Sequence, residues 1–321
     1  MFKGLHHVAI SAKNYDELVE FYRDEFGLDK VFELTFSDGK FDVPPEFEDM
    51  EASSERLFDI ITGLKDCAGR LSMYRVGNAH IEIFGFDHPV PKERTDEWRI
   101  FDHTYTHLCL QVEDVQDWYD RLLAKGVKFN CPVQDFGEVK LTYARDPEGN
   151  TIELLQPCKE YLSIPKPRAG NNMVAGLHHA GASVINFERS KKFYTEVLGM
   201  ETVFEMDFSD GRFDAVWNET NTAGMNTMLR LNNAFFEFFE FTNPQPKPRD
   251  PDWQVSDHGH THICLQVDDL QACYENLLQQ GVKFNCPPID FGNVIGTYAH
   301  DPDGNLIELL ETRENGAFLD I

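Results

Sequence analysis

The chain has 321 residues, 41% of them hydrophobic, which is material for two cored domains rather than one. A formal charge of -26 argues against nucleic acid and anionic membrane as partners, and against a polyanionic substrate such as a CoA ester. Seven cysteines without a CxxC pair, no apolar run long enough to span a bilayer and no signal-peptide pattern in MFKGLHHVAI predict a cytoplasmic protein.

In chain order, HHVAISA reads as a short apolar strand. NYDELVEFYRDEFGL then carries Leu18, Val19, Phe21, Tyr22 and Phe26 at helical spacing and closes on Gly27. Strands follow around Arg75–Phe86. A second module repeats this order, with the strand THLCLQV, the helix DVQDWYDRLLAKG, short strands, a DPEGN turn and the strand TIELLQ. From Leu177 the whole series recurs. Leu5-His6-His7 matches Leu177-His178-His179, and FSDGKFD from Phe36 matches FSDGRFD from Phe208, at an offset of 172. From Asn78 onward the offset is 155, so 172 − 155 = 17 residues are inserted in the first copy between Asp42 and Asn78. Residues 102–155 and 257–310 are identical at 35 of 54 positions, which marks a duplication. The reading is α+β, with a first domain over 1–158, a Pro- and Gly-containing linker over 159–175 and a second domain over 176–321.

Side chains alternate across a strand, so a residue near each strand centre can face the concave side of a curved sheet. His7, Glu82, His107 and Glu153 hold such places in the first copy, and His179, Glu237, His262 and Glu308 in the second. A single strand histidine is usually a satisfied core or surface residue. Two imidazoles with two carboxylates, twice over, form a mixed N/O set suited to Zn, Ni, Co, Mn or Fe(II), with open positions for water or substrate. No nucleotide or flavin motif is present. Cys109 and Cys264 lie two residues after His107 and His262 and share their face. Asp102-His103 and Asp257-His258 could orient a ligand from behind. In FSDG[KR]FD, the Asp-Gly pair reads as a tight turn. Phe239 and Phe241 share the strand face of Glu237, as Phe86 shares that of Glu82, and predict an aromatic substrate pocket.

HHVAI followed by FYRDEFGL, then HIEIF, THLCLQVED and DPEGNTIELL, resembles the vicinal oxygen chelate superfamily of glyoxalases, bleomycin-resistance proteins and extradiol dioxygenases, over nearly the whole chain. The resemblance implies two tandem domains, each a pair of βαβββ modules whose curved sheet surrounds a metal cleft. It also implies that the eight His and Glu residues above are the metal ligands. Glutathione-using glyoxalase I usually has an Arg four residues after the first ligand and an Asn four after the second. Here those positions are Ser11 and Ser183, then Phe86 and Phe241. Extradiol enzymes keep a Tyr ahead of the closing turn, as at Tyr143 and Tyr298, and an acid-base His about nine residues earlier, where this chain has Gln134 and Ile289.

The combined expectation is a divalent-metal isomerase, epimerase or lyase acting on a small hydrophobic or aromatic carbonyl or hydroxyl compound without glutathione. Glu153 or Glu308 would move the proton and Tyr143 or Tyr298 would donate to the oxyanion. A ring-cleaving dioxygenase using Fe(II) or Mn(II) and a non-catalytic binding protein are the alternatives, and a homodimer is compatible with either. The modules can pair within each copy, or across copies so that His7 and Glu82 meet His262 and Glu308. The insertion is expected to act as a lid on the first copy. The short VWNETNTAGMN segment would leave the second copy more open, with the Glu308 centre carrying more of the turnover.

Overall fold

A computed structural model describes residues 2–42, 55–94, 99–164 and 173–321. Part of the insertion (43–54) and the middle of the linker (165–172) lie outside the described residues.

The first module runs β1 (Phe2–Ser11), α1 (Tyr15–Phe26), β2 (Asp29–Ser37), β3 (Lys40–Asp42), α2 (Leu57–Thr62), β4 (Ala68–Val76) and β5 (Ala79–His88). The second runs β6 (Thr104–Gln111), α3 (Val115–Ala124), β7 (Lys128–Phe129), β8 (Gln134–Asp135), β9 (Val139–Arg145) and β10 (Thr151–Pro157). The third has β11 (Gly176–Ser183), α4 (Phe187–Lys192), β12 (Glu201–Asp207), α5 (Asp214–Trp217), β13 (Ala223–Leu231) and β14 (Ala234–Asn243). The fourth has β15 (Gly259–Val267), α6 (Leu270–Gln279), β16 (Lys283–Phe284), β17 (Ile289–Asp290), β18 (Val294–His300) and β19 (Leu306–Thr312).

The helices end where local chemistry requires it. Gly27 takes the left-handed conformation that closes α1, at φ 65. Asp114 caps α3 by accepting from the backbone N–H groups of Gln116 and Asp117. No helix of the described residues is long and apolar enough to cross a membrane.

Two sheets result, and neither belongs to one copy. The first has the order β16-β18-β19-β15-β1-β5-β4-β2-β3, joining modules one and four, with β17 paired to β18. The second has the order β12-β13-β14-β11-β6-β10-β9-β7, joining modules two and three, with β8 paired to β9. The boundaries at 158 and 176 therefore separate sequence copies, while the sheets form across them. Antiparallel pairs β1–β15 and β6–β11 make the two seams. Outward-alternating Leu, Ile and Phe side chains of both sheets, such as Leu5, Ile83, Leu108 and Phe236, join helix residues Tyr22, Trp118, Tyr194 and Leu277 in one core. The opposite faces carry smaller clusters around the clefts.

Candidate metal centre

In the first sheet the four central strands are β5, β1, β15 and β19, and each brings one donor. Pairing sets His7 opposite Cys264, Ala9 opposite both His262 and Glu82, and Cys264 opposite Glu308. Alternation then turns His7, Glu82, His262 and Glu308 to one side, with their donor atoms within 4.8 Å of one another. Nε2 of His7 lies 3.4 Å from Glu82 Oε2, 3.1 Å from Glu308 Oε2 and 3.2 Å from His262 Nε2. Nε2 of His262 lies 3.5 Å from Glu82 and 3.2 Å from Glu308. The second sheet repeats this with His107, Glu153, His179 and Glu237, at His–Glu distances of 3.2 to 3.5 Å and a His–His distance of 2.9 Å. Of the two pairings the sequence allows, the cross-copy one is observed.

These separations suit a cation. Four donors at about 2.1 Å from a common ion stand about 3.0 Å apart as cis octahedral ligands and about 3.4 Å apart in a tetrahedron. Glu82 Oε2 is buried without a hydrogen bond of good geometry among the described residues, although two imidazole nitrogens are near it. Burial disfavours the imidazolium form of His7, yet the carboxylates of Glu82 and Glu308 outweigh it and hold the pKa well above the ordinary histidine value. His179 behaves the same way beside Glu153. Burial opposes ionisation of Glu308 too, but hydrogen bonds from His262 and His7 keep its carboxyl below the usual range. Each cluster thus favours positive charge at its middle, of the kind a divalent ion would supply. Burial pushes the thiol of Cys264 up to about 12, which keeps it a thiol.

Tyr298 and Tyr143 are buried beside the donors. Tyr298 Oη is 3.5 Å from His262 Nε2, and the Tyr143 ring centroid is 5.4 Å from that of His107. Burial, with Glu308 and Glu153 next, raises both phenols well above their ordinary pKa, so they are neutral donors.

Each centre opens into a cavity. That of His7, about 830 Å³ with its mouth, is walled by Phe32, Leu34, Phe41, Phe58, Ile61 and Phe84 among others, with no Lys or Arg among the described lining residues. That of His179, about 1160 Å³, is more polar and includes Glu138, Glu205, Arg212 and Asn226. Phe239 lines its cavity as expected. Phe86 and Phe241 do not line theirs: they pack behind Phe84 and Phe239, at 5.4 and 5.5 Å between ring centroids, because the strands carry them past the cleft floor. Phe84 takes the place foreseen for Phe86. The segment between Asp42 and Asn78 that holds the insertion does not border a purely first-copy site, since its α2 contributes Phe58 and Ile61 to the cavity of the Glu308 centre. Asp102 and Asp257 do not reach a donor. They accept from the backbone N–H groups of Lys247 and Lys92 and tie the two copies together.

The family model described as Glyoxalase/Bleomycin resistance protein/Dioxygenase superfamily matches residues 4–154 and 176–309. The chain belongs to this superfamily. Over 95% of its length it is 22% identical to glyoxalase I of Saccharomyces cerevisiae, covering 91% of that protein. A lactoylglutathione lyase of Schizosaccharomyces pombe is also 22% identical, with 96% of each chain covered. The crystal structure of glyoxalase I from Zea mays superposes with a TM-score of 0.64 at 18% identity, covering 96% of this chain and 92% of that one. A putative dioxygenase from Bacillus subtilis gives 0.65 at 14% identity, covering 100% and 88%. Both structural likenesses speak for the superfamily fold alone.

The sequence reading missed His6 and His178. Each lies against the following ligand histidine, with Nδ1 to Nδ1 distances of 2.8 and 2.7 Å. Burial, followed by the adjacent ligand histidine, pushes both down to about 3, so they are neutral. The doubled histidine in both copies was the available signal.

Proposed function

We propose that the chain is a divalent-metal enzyme that moves a proton next to a carbonyl or hydroxyl group, as an isomerase, epimerase or lyase, on an uncharged hydrophobic or aromatic substrate without glutathione. The observation that carries this is the cavity over His7, Glu82, His262 and Glu308, whose described wall is mainly aromatic and aliphatic and has no Lys or Arg. The two seryl positions where glutathione-using relatives of the resemblance carry Arg are committed elsewhere. Ser11 Oγ donates to the Ser256 carbonyl and Ser183 Oγ to that of Phe101, both at 2.7 Å.

A zinc, nickel, cobalt, manganese or iron(II) ion held by the four donors would polarise the substrate oxygen and acidify the adjacent C–H. The chain's own groups do the rest. Glu308 is ionised, buried and central to its cluster, so it takes the proton and returns it to the neighbouring carbon. At the other centre Glu237 is pinned by Asn226 Nδ2, which donates to Oε1 at 3.1 Å, leaving Glu153 as the freer carboxylate. The neutral phenols of Tyr298 and Tyr143 donate to the negative oxygen that develops. Apolar walls exclude water and strengthen these interactions. Asn293 Oδ1, buried in the His7 cavity without a partner among the described residues, offers an acceptor for a substrate hydroxyl or N–H. A dioxygenase reading draws no support from the positions of its acid-base histidine. Gln134 donates to the Pro132 carbonyl of its own loop, and Ile289 packs in the apolar cluster. Seven unpaired cysteines suit a reducing cytoplasm.

The test is the metal-loaded protein in D2O with a panel of aromatic α-hydroxycarbonyl compounds and with the glutathione hemithioacetal of methylglyoxal. Exchange of the C–H for deuterium in the aromatic compounds, abolished by Glu308→Gln together with Glu153→Gln, supports the proposal. A kcat/KM in the ordinary enzymatic range of about 10⁴–10⁸ M⁻¹s⁻¹ on the hemithioacetal overturns the substrate assignment.

A further inference from the structure

Each of the four ligand histidines follows a residue at which the ladder slips. Between Leu5 and His7 the pairing partners advance by one residue, from Leu265 to Cys264, and between Leu177 and His179 from Leu110 to Cys109. His6 and His178 are the extra residues. On the facing strands, His262 to His260 pairs with Ala9 to Ile10, and His107 to Tyr105 with Gly181 to Ala182, which makes Thr261 and Thr106 extra in the same sense. A bulge breaks the strict alternation of side chains, so the residue before a ligand can swing to the ligand's own side. All four do so. His6 Nδ1 is 2.8 Å from His7 Nδ1, His178 Nδ1 is 2.7 Å from His179 Nδ1, Thr106 Oγ1 is 2.8 Å from His107 Nδ1 and Thr261 Oγ1 is 3.0 Å from His262 Nδ1.

In the two His-His pairs the proton positions follow from what lies behind. His6 Nε2 is 2.8 Å from the carbonyl oxygen of Leu319, and His178 Nε2 is 2.6 Å from that of Leu162. A carbonyl only accepts, so Nε2 of His6 and of His178 carries the proton. In the neutral ring Nδ1 is then a bare acceptor, and the facing Nδ1 of His7 or His179 must be the donor. With a proton fixed on Nδ1, Nε2 is the ring nitrogen that faces the two carboxylates and the one that gives up its proton to a cation bound there.

We infer that His6 and His178 are positioning residues that fix the tautomer and orientation of His7 and His179 for metal binding, each anchored by the carbonyl of the segment that ends its sheet's neighbouring repeat. This rests on the metal reading given above. It adds a link between the tails and the centres, because Leu319 and Leu162 also line the two cavities. The order carbonyl, bulge histidine, ligand histidine is met in both sheets, from residues 313 and 16 positions apart in the chain.

The experiment uses the full chain loaded with zinc. Competition with a chromophoric chelator gives an affinity for each centre, assigned with His262→Ala and His107→Ala backgrounds. His6→Leu should weaken zinc at the His7 centre by about 10- to 100-fold, the range for residues that orient a ligand, and leave the His107 centre unchanged. His6→Asn, whose Oδ1 can stand in for the accepting Nδ1, should restore the affinity to within about threefold. His178→Leu and His178→Asn should act in the same way on the other centre. Equal affinities for His6→Leu and the unaltered chain, or equal losses for the Leu and Asn variants, would overturn the inference. A second readout needs no variant. Nitrogen NMR of the zinc-loaded chain should find His6 protonated on Nε2, with a scalar coupling across the N–H···N bond to His7 Nδ1, and a proton on His6 Nδ1 would overturn it. If zinc binds neither centre in the unaltered chain, the metal reading itself fails, and that outcome is separable from all of these.

Discussion

Gly181 shows how closely a single residue limits the second centre. A Cβ at this position would stand 2.0 Å from Cε1 of His107, too near for a ring that is fully buried. Gly181→Ala is therefore expected to displace His107 and halve the metal content, as read by elemental analysis of the purified variant, while Ala9 at the matching place beside His262 already carries a methyl group. Tyr298→Phe removes the donor and keeps the ring, so kcat should fall by about 10²-fold with little change in KM. A change confined to KM would give Tyr298 a packing role. His260 supplies a pH test. Burial, then Arg94, holds it down to about 3 in the fold against 6.5 when free, so its stabilising effect is complete above pH 6.5 and is lost as the pH falls towards 3. His260→Gln should therefore flatten the fall of urea midpoint between pH 6.5 and 4, and an unchanged slope would contradict the assignment. The eight donors were legible because strand alternation and the repeat both pointed to them. Phe84 was not separated from Phe86, since both share one strand face and only the depth of the cleft distinguishes them.

At the scale of elements, the helices followed from their period and caps, as Gly27 and Asp114 illustrate. Bulges did not, because an extra residue leaves no mark in an apolar run and changes only which neighbour faces which. His6, Thr106, His178 and Thr261 were hidden for that reason. The strands that carry them are clamped by a pair of asparagines. Asn78 Nδ2 donates to the carbonyls of Leu177 and Asn233, and Asn233 Nδ2 to those of Leu5 and Asn78, at 2.7 to 2.9 Å. Their Oδ1 atoms accept from the N–H groups of Leu177 and Leu5, both at 2.9 Å. Each asparagine, in the turn between β4 and β5 or between β13 and β14, thus holds the His-His strand of the other copy. Truncating one leaves several buried backbone groups unpaired, so Asn78→Ala should cost about 2–4 kcal/mol in denaturant unfolding. A loss below about 0.5 kcal/mol would show that water replaces the clamp.

Over the whole molecule, duplication made two clefts evident and left their composition open, because each copy supplies the same strand pattern and both pairings satisfy it. What decides between them is physical continuity: β1 finds its seam with β15 and β6 with β11, so every cleft takes two donors from each copy. The same crossing places α2 residues Phe58 and Ile61 in the wall of the Glu308 cavity, as it places α5 residues Val216 and Trp217 in the wall of the Glu153 cavity. Two further bonds reinforce the union of the sheets, as Tyr22 donates to Asp146 at 3.4 Å and Tyr194 to Asp301 at 2.9 Å. The most direct test is metal stoichiometry in two double variants after reconstitution with zinc. His7→Ala with Glu308→Ala removes donors that share one cleft and should leave one ion per chain. His7→Ala with Glu153→Ala breaks both clefts and should leave none tightly held. One ion retained in the second variant and none in the first would mean that each copy closes on itself, and would contradict the account.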